Sequence, residues 1–171
     1  RCGDHVFRET PIDEPVVGHG PFVMNSIEQV RAADASGADL FVIETMADLA
    51  EARAALLACL ENSDLPALVT MTFDEDGRTF LGTTPEVAAI TLSSLGADAV
   101  GINCSLGPQD VAPLVERMLP WASCPVMVQA NAGLPHVEDG VTLYDIDAEG
   151  YCRAVEGMLD AGVTIVGGCC G

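Results

Sequence analysis

The chain has 171 residues, enough for one domain with its own core, and 49% of them are hydrophobic, which excludes a disordered chain. A formal net charge of −19 excludes nucleic acid and anionic membrane surfaces as partners, because both are themselves negative. All seven basic residues are arginine, so a lysine Schiff-base mechanism is excluded, and no apolar stretch approaches the ~18 residues of a membrane span.

The predicted elements alternate between helix and strand. Five short runs rich in Val and Ile, without strict alternation of polar residues, are typical of strands covered on both faces. Residues 1–25 show no periodicity and are predicted to be a loop-rich segment. Residues 137–144 are predicted to be an excursion of the chain after a strand. In chain order we predict helix 26–36, strand 40–44, helix 47–59, strand 67–73, helix 84–95, strand Ala99–Asn103, helix Pro108–Met118, strand 125–130, helix Ala148–Ala161 and strand 163–166.

Three helix-to-strand junctions repeat one pattern. Gly37, Gly96 and Gly162 each follow a helical pattern and directly precede a strand, as a left-handed helix stop does. The rhythm predicts a parallel sheet. Eight such units need ~250 residues, so residues 26–171 are either a complete open sheet or a part of a (β/α)8 TIM barrel. We favour the α/β barrel, truncated to about its last five βα units.

Three cysteines stand directly after predicted strands: Cys104, and the pair Cys169 and Cys170. The carboxyl ends of parallel barrel strands meet at one rim, so these thiols can meet there. Both thiols can face one ion only if the backbone turns there, and the glycines around the pair, Gly167, Gly168 and Gly171, permit such a turn. Three thiolates without a fourth protein ligand are typical of a catalytic zinc ion with an open position.

Three thiolates on Zn²⁺ leave a net charge of −1, which suits the deprotonation and alkylation of a substrate thiol better than the polarisation of a carbonyl. The other four cysteines are predicted to be small buried hydrophobic residues: Cys2, Cys59, Cys124 and Cys152. An odd number of cysteines without regular spacing also predicts a reduced, cytoplasmic compartment.

The motifs that hold these cysteines resemble the homocysteine S-methyltransferase family. Gly-Ile-Asn-Cys ending at Cys104, Asn-Ala-Gly-Leu-Pro beginning at Asn131, and Gly-Gly-Cys-Cys-Gly ending at Gly171 occur in the family's order. Glu-Thr-Met beginning at Glu44 and Thr-Phe-Asp beginning at Thr72 are similar to the homocysteine-binding module of cobalamin-dependent methionine synthases.

The resemblance implies a (β/α)8 barrel over residues 26–171, with one zinc ion held by Cys104, Cys169 and Cys170. It implies that homocysteine binds through its sulfur, that Glu44 holds its amino group, and that Asn131 lies close to the metal. The expected activity is methyl transfer to homocysteine, forming methionine. The expected partners are homocysteine and a small-molecule or corrinoid methyl donor, of which methylcobalamin is the one that this resemblance favours.

Two alternatives stay open. The piece is a catalytically silent fragment or module if substrate binding needs the N-terminal barrel half or additional domains. A redox role for the neighbouring pair Cys169 and Cys170 is the other, and it is disfavoured because adjacent cysteines close only a strained disulfide. The acidic run from Asp74 to Asp76 lacks the later ligands of a calcium loop and is predicted to be a tight turn.

Overall fold

The computed structural model describes residues 22–133, 135–138 and 141–171. Five strands form a parallel sheet in the order β1-β2-β3-β4-β7, and β5 and β6 form a separate antiparallel hairpin. The strands are β1 (Phe41–Met46), β2 (Ala67–Met71), β3 (Ala99–Asn103), β4 (Val126–Ala130), β5 (Pro135–Glu138), β6 (Val141–Tyr144) and β7 (Ile165–Gly168). The helices are α1 (Phe22–Ala35), α2 (Leu49–Asn62), α3 (Pro85–Leu95), α4 (Pro108–Met118) and α5 (Ala148–Ala161), with a 3₁₀ turn over Leu119–Trp121.

The order of the strands decides between the two predicted architectures. Each parallel strand pairs with the next one along the chain, without the reversal that an open doubly wound sheet contains. Right-handed crossovers in an unreversed order place all the helices on one face. Neighbouring helices indeed pack on one another from α1 to α5. This is the winding of a TIM barrel, here with five strands.

The core lies between the sheet and this helix layer. Strand residues that point toward the helices are buried with apolar residues of α2, α3 and α4. The largest of these fully buried side chains are Leu56, Val69, Met71, Phe73, Leu92, Val100, Ile102, Val111, Val115, Met118 and Val128.

The opposite face of the sheet, called the inner face below, has a different composition. Residues paired across parallel strands share a face, and one such row runs from Asn103 through Gln129 to Gly167. Thr70 and Gly101 form another pair on this face. Polar and small residues thus occupy the carboxyl end of the inner face, where a barrel fold keeps its active site.

Most predicted elements are confirmed, with shifted ends. The helices over Pro108–Met118 and Ala148–Ala161 and the strand over Ala99–Asn103 have the predicted bounds. Gly37, Gly96 and Gly162 all adopt the predicted left-handed conformation. The excursion predicted over 137–144 belongs to the β5–β6 hairpin, which begins two residues earlier at Pro135. The acidic run forms the predicted tight turn, in which the Gly77 N–H donates to the Asp74 carbonyl.

The prediction of loop throughout 1–25 is wrong at its end. Helix α1 already begins at Phe22 and passes through Ser26, which has the side chain of an N-cap but not its position. No glycine or proline interrupts residues 22–36, so nothing in the sequence stops the helix from starting earlier. Residues 1–21 lie outside the described residues. Within the described part of the chain, no helix is both long and apolar enough to cross a membrane.

A bidentate ion pair joins α3 to α4. Arg117 donates through Nε and Nη2 to the two carboxylate oxygens of Glu86, at 2.7 and 3.1 Å. These hydrogen bonds lower the pKa of Glu86 to about 2, and its side chain is 28% exposed. The guanidinium also packs beneath Gly77, where a Cβ would lie 2.5 Å from Arg117 Nη1. The pair therefore supports the loop between β2 and α3.

Replacing Glu86 by glutamine is expected to lower the free energy of unfolding by about 0.5–1 kcal/mol at pH 7. A depressed folded pKa stabilises the fold above the unfolded value, and this contribution is lost as the pH falls from about 4.5 toward 2. Urea denaturation at pH 7 and pH 2.5 measures the difference. E149Q, which removes the more exposed pair of Glu149 with Arg153, is the control and should have a smaller effect. If E86Q is less stable than wild type by the same free energy of unfolding at both pH values, the stabilisation does not come from the ionised Glu86 paired with Arg117.

Candidate metal centre

Three thiols from two distant parts of the chain meet at the carboxyl end of the sheet. The Sγ atoms of Cys104, Cys169 and Cys170 all lie within 4.8 Å of one another, and those of Cys104 and Cys170 are 3.9 Å apart. Among the residues that the structure describes, these three form the only group of His, Cys, Asp or Glu side chains close enough to share an ion. The predicted meeting of these sulfurs is therefore present in the structure.

Cys104 reaches this position through an unusual turn at the end of β3. Cys104 and Ser105 have φ values of 63° and 58°, a left-handed conformation that residues with a Cβ rarely adopt. The turn is held by hydrogen bonds from Cys104 N–H to the Gln129 carbonyl and from Leu106 N–H to the Cys104 carbonyl. The Ser105 hydroxyl lies 2.6 Å from that of Thr72, which ties the turn to the chain after β2.

The neighbouring pair is positioned by an asparagine side chain and is followed by a left-handed glycine. Cys169 N–H still donates to the Ala130 carbonyl as the strand ends, but Cys170 N–H donates to Asn131 Oδ1 at 3.0 Å. Gly171 has a left-handed φ of 118°. Gly167 and Gly168 lie in β7 without a positive φ, so of the three glycines that permit a turn only Gly171 adopts the left-handed conformation. At Gly167 a Cβ would lie 3.3 Å from Gln129 Cγ, a tight contact that the Gln129 side chain would have to relieve by a small movement.

Asn103, which precedes Cys104, is a site residue that the sequence reasoning did not single out. Its side chain is fully buried and contacts three other strand ends. Oδ1 accepts from Thr45 N–H and from the Thr70 hydroxyl, both at 2.8 Å. Nδ2 donates to Thr45 Oγ1 at 2.7 Å and lies 3.8 Å from the sulfur of Cys169. The available signal was a polar residue at the end of a wholly apolar run.

The thiols of Cys104 and Cys169 differ in acidity. Burial acts to raise the pKa of Cys104, but hydrogen bonds from the Ser105 backbone and from neighbouring side chains, Asn131 among them, outweigh it and hold this pKa below its usual value. Burial and the neighbouring thiols raise the pKa of Cys169 to about 12. The Cys104 thiol therefore ionises more easily than an ordinary thiol, and its negative charge then opposes ionisation of the Cys169 thiol. A cation among them is needed to hold all three as thiolates at neutral pH.

The donor set fits a zinc ion. Zinc–sulfur bonds of about 2.3 Å in a tetrahedron place sulfur atoms roughly 3.8 Å apart. The 3.9 Å between Cys104 and Cys170 matches this spacing, and the 4.8 Å limit on the whole set needs only small side-chain adjustments. Soft thiolates favour zinc over magnesium or calcium, which bind oxygen ligands. Cys104, Cys169 and Cys170 would hold the ion, and three ligands leave a fourth position for substrate.

Glu44 lies on the same rim but apart from the sulfur atoms. The pairing of β1 with β2 is in register up to Ile43 and resumes at Met46, with one extra residue on β1, which is a β-bulge. Glu44 and Thr45 form this bulge, and Thr45 has a left-handed φ of 58°. The Glu44 side chain is exposed, and among the described residues it forms no ion pair. The substrate role that the family resemblance implies for it stays a prediction.

The remaining described cysteines lie outside the site. Cys59 is buried in α2, as predicted, and burial raises its pKa to about 11, which makes it unreactive. Cys124 is half-buried. The prediction that Cys152 is buried is wrong, because the core-facing side chains of α5 are Val155 and Met158, and Cys152 lies to one side of them, exposed.

A groove of about 400 Å³ opens beside the Cys104 turn. It is lined by Ser105 and Gly107 at the start of α4, by Ile146 after the hairpin, and by the carboxylate residues Glu75 and Asp145, among others. A volume of this size accommodates an amino acid. None of the three cysteines lines this groove, and it adjoins the sulfur cluster only through Ser105, the residue after Cys104.

Comparison with known proteins gives the family. The sequence profile of the family described as homocysteine S-methyltransferase matches residues 26–171. The chain belongs to the homocysteine S-methyltransferase family. It is 31% identical over 141 residues to the methionine synthase of Mycobacterium leprae, covering 79% of this chain and 12% of that protein. It is 29% identical over 166 residues to the methionine synthase of Mycobacterium tuberculosis, covering 92% of this chain and 14% of that protein.

Solved structures show the same fold. The homocysteine methyltransferase MmuM from Escherichia coli matches in its apo form with a TM-score of 0.68 at 22% identity, covering 87% of this chain and 51% of MmuM. The metallated form matches with a TM-score of 0.66 at 21% identity, covering 86% of this chain and 47% of MmuM. This family member thus spans about half the length of MmuM and about an eighth of the length of the curated methionine synthases.

The fold by itself does not determine the chemistry of this family member. The carboxyl transferase domain of Rhizobium etli pyruvate carboxylase matches with a TM-score of 0.56 at 18% identity, covering 84% of this chain and 24% of that one. Barrels of one winding support unrelated reactions, because function depends on the residues at the rim. In this homocysteine S-methyltransferase family chain, the rim brings together the three cysteines and the asparagines beside them.

Proposed function

We propose that this chain binds one zinc ion through Cys104, Cys169 and Cys170 and takes part in methyl transfer to the sulfur of homocysteine, forming methionine. The observation that carries the proposal is the gathering of these three sulfur atoms within 4.8 Å at the rim of a barrel-type sheet. Membership of the homocysteine S-methyltransferase family supports the choice of substrate.

A bound zinc ion would favour the thiolate form of homocysteine, which is the nucleophile that alkylation needs. The carbon–sulfur bond to the methyl group then forms as the bond between methyl and donor breaks, and the thiol proton leaves to water. Asn131 Oδ1 accepts a hydrogen bond from the Cys170 backbone N–H, and the Asn131 side chain helps to lower the pKa of the Cys104 thiol. We propose that Asn131 stands next to the bound amino acid.

We propose that the carboxylate of Glu44 binds the amino group of homocysteine. Its carboxylate projects from the bulge of β1 at the rim, and its exposure leaves it accessible to an ammonium group. The groove beside Ser105 supplies space for the rest of the amino acid. Replacing Glu44 by glutamine keeps the shape and removes the charge, so we expect weaker homocysteine binding with unchanged zinc content.

Methylcobalamin is the methyl donor that we propose, with a small-molecule donor as the alternative, because the curated relatives at about 30% identity are methionine synthases. The unit that carries the site is proposed to be residues 26–171, as in the family match, and residues 1–25 are proposed as the N-terminal segment before it, with α1 crossing the boundary from Phe22. The N-terminal barrel half and further domains are proposed as partners. Reduced thiols at the site support a cytoplasmic setting.

Homocysteine binding tests the proposal. Titrating homocysteine into the zinc-loaded chain should release a proton, which a pH indicator detects, because a thiol becomes a thiolate on binding. Homoserine, which carries a hydroxyl in place of the thiol, is the matched control and should release none. Proton release followed by methionine formation with methylcobalamin supports an active unit. If this chain releases no proton with homocysteine but a longer chain that supplies the remaining strands does, this chain is the catalytically silent module instead.

A further inference from the structure

The carboxamide of Asn103 is a buried polar group at the rim that contacts three other parts of the chain. The side chain is fully buried, and it touches parts of the chain that are 58 and 66 residues away in sequence. A buried amide is costly unless its hydrogen-bonding groups are paired. The partners of Asn103 therefore show what this residue does.

The orientation of this carboxamide is determined by its neighbours. The backbone N–H of Thr45 can only donate, so the atom that faces it at 2.8 Å must be the oxygen Oδ1. The Thr70 hydroxyl donates to the same oxygen. The NH₂ group then faces the other way, with one hydrogen for Thr45 Oγ1 and the other for the sulfur of Cys169. All four hydrogen-bonding positions of the amide are thus used, which fixes its rotation.

The same contacts explain the left-handed Thr45. A β-branched residue at φ 58° is strained by about 1–3 kcal/mol. Both polar groups of Thr45, its backbone N–H and its hydroxyl, bind the one side chain of Asn103. These two bonds hold the bulge that carries Glu44 at a set distance from β3. Asn103 thus connects the bulge to the sulfur of Cys169.

We propose that Asn103 is a positioning residue for the metal centre, which holds the Cys169 sulfur by an N–H···S hydrogen bond and ties it to the β1 bulge. This inference rests on the proposed zinc site. An N–H donor on a zinc thiolate orients the ligand and disperses part of its negative charge. The strands that meet at Asn103 are β1, β2, β3 and, through Cys169, β7. A single amide thus gives the rigid support that a three-ligand site needs.

Asn103→Asp tests the proposal with almost no change of shape. Aspartate keeps an oxygen for Thr45 N–H and the Thr70 hydroxyl, and it places a second oxygen where the N–H faced Cys169. We expect about a 10–100-fold weaker zinc affinity. We also expect a shifted sulfur-to-metal charge-transfer band when cobalt(II) replaces zinc. Thr70→Val is the matched control, because it removes a hydrogen bond from the same amide but leaves the N–H···S contact.

The outcomes distinguish a failure of the positioning role of Asn103 from a failure of the proposed zinc site itself. Weaker zinc binding and a shifted cobalt band in N103D, with wild-type values in T70V, establish the positioning role. Equal zinc affinity in N103D and wild type overturns it, as does an equal loss in both variants, which indicates a merely structural effect. If N103D does not fold, Asn103→Ser, which lacks the donor and adds no charge, takes its place with the same expectations. If the wild-type chain itself does not bind zinc, the proposed function fails instead.

Discussion

Changing Cys104, Cys169 or Cys170 to alanine, one at a time, is expected to remove most of the bound zinc from the purified chain. Each variant loses one of three metal–sulfur bonds. Loss of a hydrogen bond that supports a ligand lowers metal affinity by ~10–100-fold, and we expect loss of the ligand itself to lower the zinc affinity further. The sulfur atoms lie on the exposed rim, so their truncation leaves no cavity in the core. Metal content after dialysis against a weak chelator, measured by atomic emission, gives the result.

The matched control is Cys152→Ala. Cys152 is also an exposed cysteine, but it lies on α5, away from the sulfur cluster, so its removal should leave the zinc content unchanged. Thermal unfolding of each variant without metal shows whether the fold is kept. Wild-type zinc content in all three rim variants contradicts the metal centre, and with it the proposed reaction. Loss of zinc in C152A as well indicates damage to the fold rather than to the site.

The place of these three cysteines could be predicted because it depends on local rules. An apolar run rich in Val and Ile followed by Cys104, and another followed by Cys169, mark two strand ends, and a parallel sheet brings such ends to one rim. The helix ends at Gly96 and Gly162 follow from local backbone chemistry in the same way. The direction of the strands is then fixed by the alternation of helices and strands.

The contacts of Asn103 could not be predicted by such rules. They depend on the register of β1 against β3 and on the extra residue at the bulge of β1, and a register shift of one residue turns every side chain to the other face. The left-handed Thr45 even runs against its β-branched type. Its conformation follows from a partner 58 residues away. Tertiary contacts of this length leave no periodic signal in the sequence.

Gly101→Ala is expected to be the most destabilising single-methyl change among the glycines of the sheet. Gly101 lies in the middle of β3, on the inner face, paired with Met127 of β4. A Cβ built there would be 2.0 Å from the Met127 carbonyl oxygen and 2.7 Å from its carbonyl carbon. Both atoms are backbone, so no side chain can rotate away, and β4 itself would have to shift.

The expected cost is about 3 kcal/mol or more, as for overpacking that displaces backbone. For a domain of this size, that is a fall in Tm of roughly 6–12 °C, measured by circular dichroism. Gly157→Ala, within α5, is the control. A Cβ there meets nothing within 4 Å, and alanine favours the helix by up to about 1 kcal/mol over glycine. A Tm of G101A equal to that of wild type contradicts the close approach of β3 and β4.

The two glycine variants also separate the fold from the site. Strand β4 leads directly to Asn131, whose Oδ1 holds the Cys170 backbone N–H, and its Ala130 carbonyl accepts from Cys169 N–H. A shift of β4 away from Gly101 therefore moves the supports of both neighbouring cysteines. We expect G101A to bind zinc more weakly at temperatures where it is still folded, and G157A to bind it as wild type does. The glycine in Gly-Ile-Asn-Cys would thus support the proposed metal centre through packing, although it provides no ligand.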